Sequence, residues 1–222
     1  MKFVVIADTH GKHRNIRLPK GDVLIHAGDI SYRGEKLEVK DFMAWFSKQD
    51  FKYKIFIAGN HDFFFEKAKE KELENMIPEE IIYLNDSGTA INGINIWGSP
   101  VTPKFFNWAF NKTRGEAIRK HWELIPDNTD LLITHGPPYG ILDQVASGHH
   151  VGCKDLLNRV KEVKPKLHVF GHIHESYGTA KSFGVKFINA SLTSEAYEMI
   201  NAPIITNLNI PEEKAFISTV LA

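Results

Sequence analysis

The sequence predicts a mixed α/β fold built from short, buried strands with helices between them. Eight apolar runs of strand length, rich in Val, Ile and Phe, are closed by Gly, Asp, Asn or Pro. Segments of helical periodicity separate several of these runs, which is typical of a partly parallel sheet. The later runs follow one another closely across Gly-rich turns, so we expect more antiparallel pairing towards the C-terminus.

The predicted strands are distributed along the whole chain. Each contains four or five residues, and most residues in each run are apolar, as expected for strands covered on both faces. In chain order, the predicted strands cover residues 3–7, 23–27, 54–58, 94–97, 131–134, 167–170, 185–188 and 204–208.

Four segments between the strands have helical character. Two of them repeat apolar residues at positions i, i+3, i+4 and i+7, and Pro165 stops the second. Thr113 and Glu116 have the spacing of a capping box and predict a helix that begins there. The remaining segment has a less regular apolar stripe. In chain order, the segments cover residues 39–46, 62–76, the stretch after Thr113, and 156–163.

The composition is that of an ordinary soluble domain. Hydrophobic residues make up 43% of the 222 residues and charged residues 24%, which excludes a disordered or collagen-like chain. No linker or repeat divides the sequence, so we expect one domain over residues 1–222. The single cysteine, Cys153, excludes an internal disulfide. No run has the length of a signal-peptide core or of a membrane span, and we therefore expect a cytoplasmic protein.

Polar residues of one chemical kind follow five of the predicted strands. In α/β sheets, ligands bind outside the carboxyl ends of the strands, so side chains that are distant in sequence can converge there. The Asp, Asn and His residues at these five strand ends are Asp8 and His10; Asp29; Asn60, His61 and Asp62; His135; and His172 and His174.

These residue types predict a metal centre. They supply only oxygen and imidazole nitrogen donors, a set that suits divalent Mn, Fe or Zn better than a thiolate-binding metal. They are too many for one tetrahedral site, whereas two metal ions about 3.5–4 Å apart and joined by a shared carboxylate would use them. Glycine precedes Asp29, Asn60 and His172, which allows the backbone to approach the ions closely.

The order of these motifs resembles the calcineurin-like metallophosphoesterase superfamily, and the resemblance spans Asp8 to His174. A narrower resemblance, to the animal metallophosphoesterase-domain brain proteins and their bacterial relatives, covers nearly the whole chain. The segments that carry it are residues 22–29, 107–111, 135–138, 151–153, 165–171 and 188–191.

The resemblance implies a β-sandwich flanked by helices and a role for each motif residue. It implies a pair of divalent metal ions, with Mn favoured and Fe or Zn accepted. His61 would face the phosphate and protonate the leaving group, and Asp62 would orient His61. The implied ligands are Asp8, His10 and His174 for the first metal, Asn60, His135 and His172 for the second, and Asp29 as the bridge.

The predicted function is hydrolysis of small phosphodiesters by water activated at the metal pair. Cyclic nucleotides, including 2′,3′ forms, are candidate substrates, and Trp108 and Tyr139 are candidate stacking partners for a base, although plain packing is an equal alternative. Residues 28–34 depart from the signature of protein serine/threonine phosphatases.

Three alternatives remain open. One is a phosphomonoesterase that uses the same metal pair. The second is a nuclease, which the formal net charge of 0 disfavours because a nucleic-acid track needs clustered Lys and Arg. The third is a metal-poor binding or scaffold protein, which the complete ligand set disfavours.

The remaining histidines are interpreted as structural. His26 and His168 lie within predicted strands and are expected in the core. His13 and His121 are expected on the surface or on a helix face, and His149 and His150 in an exposed loop.

Overall fold

Two β-sheets pack face to face and carry helices on their outer faces. The computed structural model describes residues 1–209, so residues 210–222 of the predicted single domain lie outside the described part. The mixed α/β class predicted from the sequence is confirmed, as is the sandwich of two sheets flanked by helices.

The first sheet is parallel except at one edge. Its first four strands along the chain pair in parallel, and the last strand of the described chain adds to them in antiparallel orientation. In spatial order the strands are β13 (Ile204–Asn207), β1 (Lys2–Ile6), β2 (Val23–Ala27), β3 (Tyr53–Ile57) and β4 (Ile81–Tyr83).

The second sheet has a parallel centre and an antiparallel strand at each edge. In spatial order its strands are β11 (Gly178–Ser182), β12 (Val185–Asn189), β10 (Leu167–Phe170), β9 (Leu131–Thr134), β6 (Ile94–Ser99) and β5 (Ser87–Ile91). A short parallel ribbon pairs β7 (Thr102–Pro103) with β8 (Asn111–Lys112).

The side chains of a strand point alternately to its two faces, and this alternation gives the core one apolar layer between the sheets and another beneath the helices on each outer face. In β1, Phe3 and Val5 face the second sheet and belong to the apolar layer between the sheets. Val4 and Ile6 point the other way and pack in the layer beneath the helices. The period of two along a strand assigns successive side chains to opposite faces, so the strands are covered on both sides and read as continuous apolar runs.

The helices divide between the two outer faces. The first sheet is covered through residues such as Phe42 and Phe65, and the second through residues such as Trp122 and Val160. The helices on the first sheet are α1 (Lys36–Ser47), α2 (Phe63–Lys67) and α3 (Glu70–Met76), and those on the second are α4 (Glu116–Trp122) and α5 (Lys154–Val163). No helix within residues 1–209 is both long enough and apolar enough to cross a membrane.

Two helix predictions are wrong in detail. The single helix predicted over residues 62–76 is two helices, because Ala68 and Lys69 are extended and Lys69 is the N-cap of α3. The capping box at Thr113 does not form. Helix α4 instead follows Gly115, whose backbone N–H donates to the Asp155 carboxylate. Asp155 lies on α5, which packs on the same face of the sheet, and its carboxylate thus takes the place of a local cap for this N–H group.

The strand predictions hold, with additional strands at the edges. Each of the eight predicted runs contains a strand. The sequence analysis missed five strands of the described chain. Two of them, β5 and β11, are edge strands that face solvent on one side and carry small and polar residues. The other three, β4, β7 and β8, contain only two or three residues each.

Among the remaining histidines, the prediction for His13 is wrong. Its side chain is buried against Phe42 and its Nε2 lies 3.1 Å from the Asp41 carboxylate. His26 and His168 are fully buried, as predicted. Each bonds a threonine hydroxyl through Nε2, Thr9 in the first case and Thr134 in the second.

Candidate metal centre

The candidate ligands of the first predicted metal meet where β1 and β10 end. The Nε2 atoms of His10 and His174 lie 3.4 Å apart, and Asp8 Oδ1 lies 3.7 Å from His174 Nε2. One ligand atom from each of the three residues falls within 4.8 Å of the others. The three side chains therefore point at one small volume, which is the geometry a single cation requires.

Asp29 lies between the two predicted ligand sets. Its Oδ2 is 3.8 Å from His10 Nε2 on one side and 3.4 Å from His135 Nε2 on the other. Its Oδ1 accepts a hydrogen bond from the His61 backbone N–H at 2.8 Å. A carboxylate that faces both sets in this way has the position that a bridging ligand needs.

The second predicted set gathers where β3, β9 and β10 end. Asn60 Oδ1 lies 2.9 Å from His135 Nε2, and the His172 ring lies beside that of His135 with 5.0 Å between centroids. His135 Nδ1 bonds the Ala27 carbonyl at 3.0 Å, so Nε2 is the nitrogen that faces Asp29 and Asn60. A backbone bond of this kind fixes the ring of a metal-binding histidine.

Backbone conformation is unusual at four of the seven candidate ligands. Positive φ angles occur at Asp8 (54°), His10 (43°), Asp29 (57°) and His172 (70°). Non-glycine residues with positive φ are uncommon, and strained backbone of this kind clusters at functional sites. The fold therefore holds these side chains at the centre at a local cost in backbone energy.

Glycine is needed where the backbone touches candidate ligands. A Cβ atom on Gly59 would lie 2.2 Å from Asp29 Oδ1, and one on Gly171 would lie 2.2 Å from Asp8 Oδ2. Both distances are far below van der Waals contact, so neither position accepts a side chain without displacing a carboxylate. The sequence prediction that glycines permit close approach applies at these two positions and at Gly28, where a Cβ would lie 2.3 Å from His135 Nδ1.

The buried carboxylates stabilise positive charge in this volume. Burial alone would lower the pKa of His135, but the Asp29 carboxylate outweighs burial and raises the pKa to about 9. Burial would also lower the pKa of His174, but the Asp8 carboxylate outweighs burial and raises the pKa of His174 to about 9. Two carboxylates thus draw positive charge towards the positions where the cations are predicted.

The residues fit a pair of divalent cations. Asp8 Oδ1 is buried and has no hydrogen-bond partner among the described residues, which is costly unless another group pairs with it. The donors are carboxylate, amide oxygen and imidazole, which suit Mn, Fe or Zn. The types of the donor atoms and the buried, unpaired Oδ1 of Asp8 are both explained if Asp8 and its neighbours hold a cation.

His61 lies beside the candidate ligands. Its ring centroid is 4.7 Å from that of His10, and its ring stacks on Trp108 at 4.2 Å. Its Nδ1 donates to the Tyr32 backbone carbonyl at 2.8 Å. A ligand atom of His61 also falls within 4.8 Å of His10 and Asp29, so proximity alone does not separate a proton donor from an additional ligand.

The prediction that Asp62 orients His61 is corrected by these contacts. The Asp62 carboxylate accepts hydrogen bonds from the backbone N–H groups of Ile30, Ser31 and Gly59 and from the Ser31 hydroxyl. The carboxylate thus holds the turns that carry Asp29 and Asn60, while the Tyr32 carbonyl orients the His61 ring. Burial, with Asp29 nearby, raises the pKa of Asp62 to about 6.

A cavity of about 270 Å³ opens over the centre. Trp108, one of the two candidate stacking residues, lines it. Tyr139 is not part of its lining, and the Tyr139 ring instead packs near His150 and Lys154. The lining is formed by Asp29, Asn60, His61, Phe105, Trp108, His172, His174, Glu175, Glu195 and Tyr197.

Sequence reasoning missed several residues of this lining. Tyr197 packs edge-on to His10 with 4.7 Å between ring centroids and lies near Tyr32 and His174. Tyr197 and Glu195 come from the irregular segment after β12, which has no periodic pattern. Glu175 directly follows the predicted ligand His174, and this adjacency was the one available signal.

Known proteins resemble this chain over most of its length. The family model described as calcineurin-like phosphoesterase matches residues 1–176. Human metallophosphoesterase domain-containing protein 1 is 42% identical, over 95% of this chain and 72% of its own length. The UPF0046 protein T07D4.2 of Caenorhabditis elegans is 38% identical, over 97% of this chain and 62% of its own length.

A solved structure supports the fold. The crystal structure of TT1561 from Thermus thermophilus superposes with a TM-score of 0.56 at 12% sequence identity, over 85% of this chain and 88% of that one. At this identity the likeness concerns the fold alone. The family match covers every strand end that carries a candidate ligand, and the chain belongs to the calcineurin-like phosphoesterase family.

Proposed function

We propose that the protein is a two-metal phosphodiesterase that hydrolyses small phosphodiesters, with cyclic nucleotides, 2′,3′ forms included, as candidate substrates. The observation that carries the proposal is the position of Asp29, whose Oδ2 faces both His10 and His135. Mn is the favoured metal, and Fe or Zn would suit the same donors. The proposed ligands are Asp8, His10 and His174 for one ion, Asn60, His135 and His172 for the other, and Asp29 for both.

The proposed reaction assigns the proton transfer to His61. When bound, the two cations supply the positive charge that activates a water molecule and offsets charge on the phosphate oxygens. Because the Tyr32 carbonyl accepts from Nδ1, Nε2 is the nitrogen of His61 that is left to face the substrate. From Nε2 the imidazolium gives its proton to the leaving oxygen, a contribution worth about 10²–10⁴ in rate.

Preference for a diester rests on the aromatic wall of the cavity. A diester carries a second organic group on phosphorus, which needs a surface to pack against. Trp108 and Phe105 offer that surface, and Trp108 lies directly against His61. A monoester has one organic group to place against this wall, whereas a diester has two, so the second group of a diester adds contacts that a monoester lacks.

The decisive experiment is a turnover screen of the Mn-loaded protein. Bis(4-nitrophenyl) phosphate should be cleaved with a higher kcat/KM than 4-nitrophenyl phosphate. The reverse order would make the protein a phosphomonoesterase on the same metal pair. If neither ester is cleaved by protein that holds two metals per chain, the proposal is wrong and a binding role replaces it.

A further inference from the structure

A second groove lies next to the metal-facing cavity. It has a volume of about 430 Å³ and is lined on one side by Phe63 and Phe64. Its cations are Arg33, Lys36 and Lys67, which come from the loop before α1, from the start of α1 and from α2. We call it the basic groove.

The charge of the basic groove is largely unbalanced. Lys36 Nζ lies 3.6 Å from the Glu72 carboxylate, and this is an exposed pair. Lys67 Nζ lies 4.9 Å from the centroid of the Phe63 ring. The Arg33 guanidinium has no hydrogen bond or ion pair within the described chain, although its backbone N–H is fixed by the Glu38 carboxylate at 3.0 Å. Three cations and one carboxylate thus line one groove, and its anchored arginine is free to bind a ligand.

Aromatic rings connect the basic groove to the metal centre. Phe63 in the groove lies 6.0 Å from Trp108 between ring centroids, and Trp108 stacks on His61 at 4.2 Å. Arg33 also follows Tyr32, whose carbonyl holds His61. The groove therefore begins where the proposed leaving group would depart.

The other side of the cavity has the opposite charge. Glu175 and Glu195 line it beside His174. An anionic group that extended from the metal centre in that direction would meet two carboxylates. In the direction of Trp108 it would meet Arg33 and Lys67.

We propose that the basic groove binds a second phosphate group, remote from the phosphate that is cleaved, and that the preferred substrate carries both. This rests on the proposed function for the first phosphate. The chemistry recognised is a phosphate dianion against guanidinium and ammonium groups, which form charge-assisted hydrogen bonds. Phe63 provides an apolar wall for the part of the molecule that joins the two phosphates.

Binding to the Mn-loaded protein tests the groove without turnover. The probes are adenosine 5′-monophosphate and adenosine 3′,5′-bisphosphate, measured by isothermal titration calorimetry. The bisphosphate should bind about tenfold more tightly than the monophosphate, which corresponds to about 1.4 kcal/mol. In the double variant Arg33→Gln/Lys67→Gln the two affinities should become equal. Arg119→Gln/Lys120→Gln, which removes the same charge from the exposed surface of α4, should keep the tenfold ratio.

Equal affinities in the wild type would overturn the proposal, and so would a double variant that weakens both probes by the same factor. Saturating inorganic phosphate distinguishes the two sources of the phosphate group. Inorganic phosphate that competes at the metals weakens both probes alike and leaves the ratio of their affinities unchanged. A fall in this ratio would show that the groove also binds free phosphate. An unchanged ratio would show that the groove binds only a phosphate group of the substrate. A protein that keeps the tenfold ratio but cleaves no diester would refute the proposed function and not the groove.

Discussion

The Nδ1 atom of His61 lies 2.8 Å from the backbone carbonyl oxygen of Tyr32, and this contact sets the direction of the ring. A carbonyl only accepts, so Nδ1 carries a proton, and a second proton resides on Nε2 in the imidazolium form. This contact leaves Nε2 as the nitrogen from which His61 would donate in the proposed reaction, while the backbone keeps its ring fixed.

The first prediction separates proton donation by His61 from metal binding. In His61→Gln, kcat should fall by roughly 10²–10⁴ for diesters with poor leaving groups, because an alkoxide needs a proton as it departs. The loss should be smaller for nitrophenolate, which departs without one. Steady-state kinetics over a series of leaving groups gives the comparison, and elemental analysis gives the metal content.

Metal content decides between the other roles of His61. A ligand role would remove metal from His61→Gln and lower every rate by the same factor. A packing role would lower the thermal stability and leave kcat nearly unchanged. Full metal content together with a rate loss that does not vary with the leaving group would contradict the assignment of His61 as the acid.

The second prediction concerns the shared carboxylate. Asp29→Ala should reduce binding of both metal ions, since Oδ2 of this residue faces His10 as well as His135. Elemental analysis after dialysis against Mn should give close to two ions per chain for the wild type and well below one for the variant. Asp50→Ala removes an exposed carboxylate and serves as the matched control. A wild-type protein that is fully active with only one bound Mn ion per chain would contradict the two-metal assignment.

The third prediction follows from the correction at Asp62. Asp62→Ala leaves buried N–H groups of Ile30, Ser31 and Gly59 without an acceptor, and each such loss costs about 1–3 kcal/mol. The free energy of unfolding should fall by about 1–3 kcal/mol, because relief of the buried charge that raises the pKa of Asp62 offsets part of the lost hydrogen bonds. Urea denaturation of the metal-free protein measures it. In Asp155→Ala, where one bond from Gly115 is lost at the partly exposed start of a helix, the effect should be smaller. Equal losses would show that the buried turns do not depend on Asp62.

The candidate centre was largely accessible from sequence for a geometric reason. Parallel strands place their carboxyl ends at one edge of each sheet. Asp29 after β2 of the first sheet meets His135 after β9 of the second because these two edges lie together where the sheets pack. The acceptor for His61 is a backbone carbonyl, which any residue type supplies, and no motif marks it. Tyr197 reaches the site from an irregular segment by long-range packing, and a periodicity argument cannot find such a residue.

Predictions from neighbouring residues in the sequence were wrong where a residue distant along the chain supplied the hydrogen-bond partner. The spacing of Thr113 and Glu116 is that of a cap, yet the N–H of Gly115 bonds Asp155 on α5. His13 has polar neighbours in sequence, but Asp41 on α1 supplies a partner that permits its burial. In both cases the decisive group is distant along the chain, 40 residues away for Gly115 and 28 for His13.

The fourth prediction tests the aromatic wall with a pair of adjacent residues. Phe105 lines the cavity, whereas Phe106 is 74% exposed and is not part of the lining. Phe105→Ala should raise KM for a cyclic nucleotide more than for bis(4-nitrophenyl) phosphate, and Phe106→Ala should change neither. Trp108→Ala should show an effect of the same kind because Trp108 also lines the cavity. If all three variants behave alike on both substrates, these rings pack and do not contact the base.

The fifth prediction uses a buried histidine away from the candidate ligands. Thr134 Oγ1 donates to the Gly136 carbonyl at 2.7 Å, so it accepts from His168 Nε2, and the buried Nδ1 has no partner within the described chain. Burial lowers the pKa of His168 to about 3. In the unfolded chain the pKa of His168 has its ordinary value of about 6.5, so the side chain binds a proton below that pH. In the folded protein the buried side chain stays neutral over the same range. Stability from this residue is therefore complete above about pH 6.5 and is lost as the pH falls from there towards about 3.

His168→Gln tests that sign because glutamine can donate to Thr134 and does not titrate. The free energy of unfolding of the metal-free protein, measured by urea denaturation between about pH 7 and pH 4, should fall less steeply in the variant. The slopes should differ by up to about 1.4 kcal/mol per pH unit, the value for one proton. The exposed His149, replaced in His149→Gln, serves as the matched surface control. Parallel curves for wild type and His168→Gln would mean that the folded protein accommodates a charged His168, and the buried, neutral state inferred from its contacts would then be wrong.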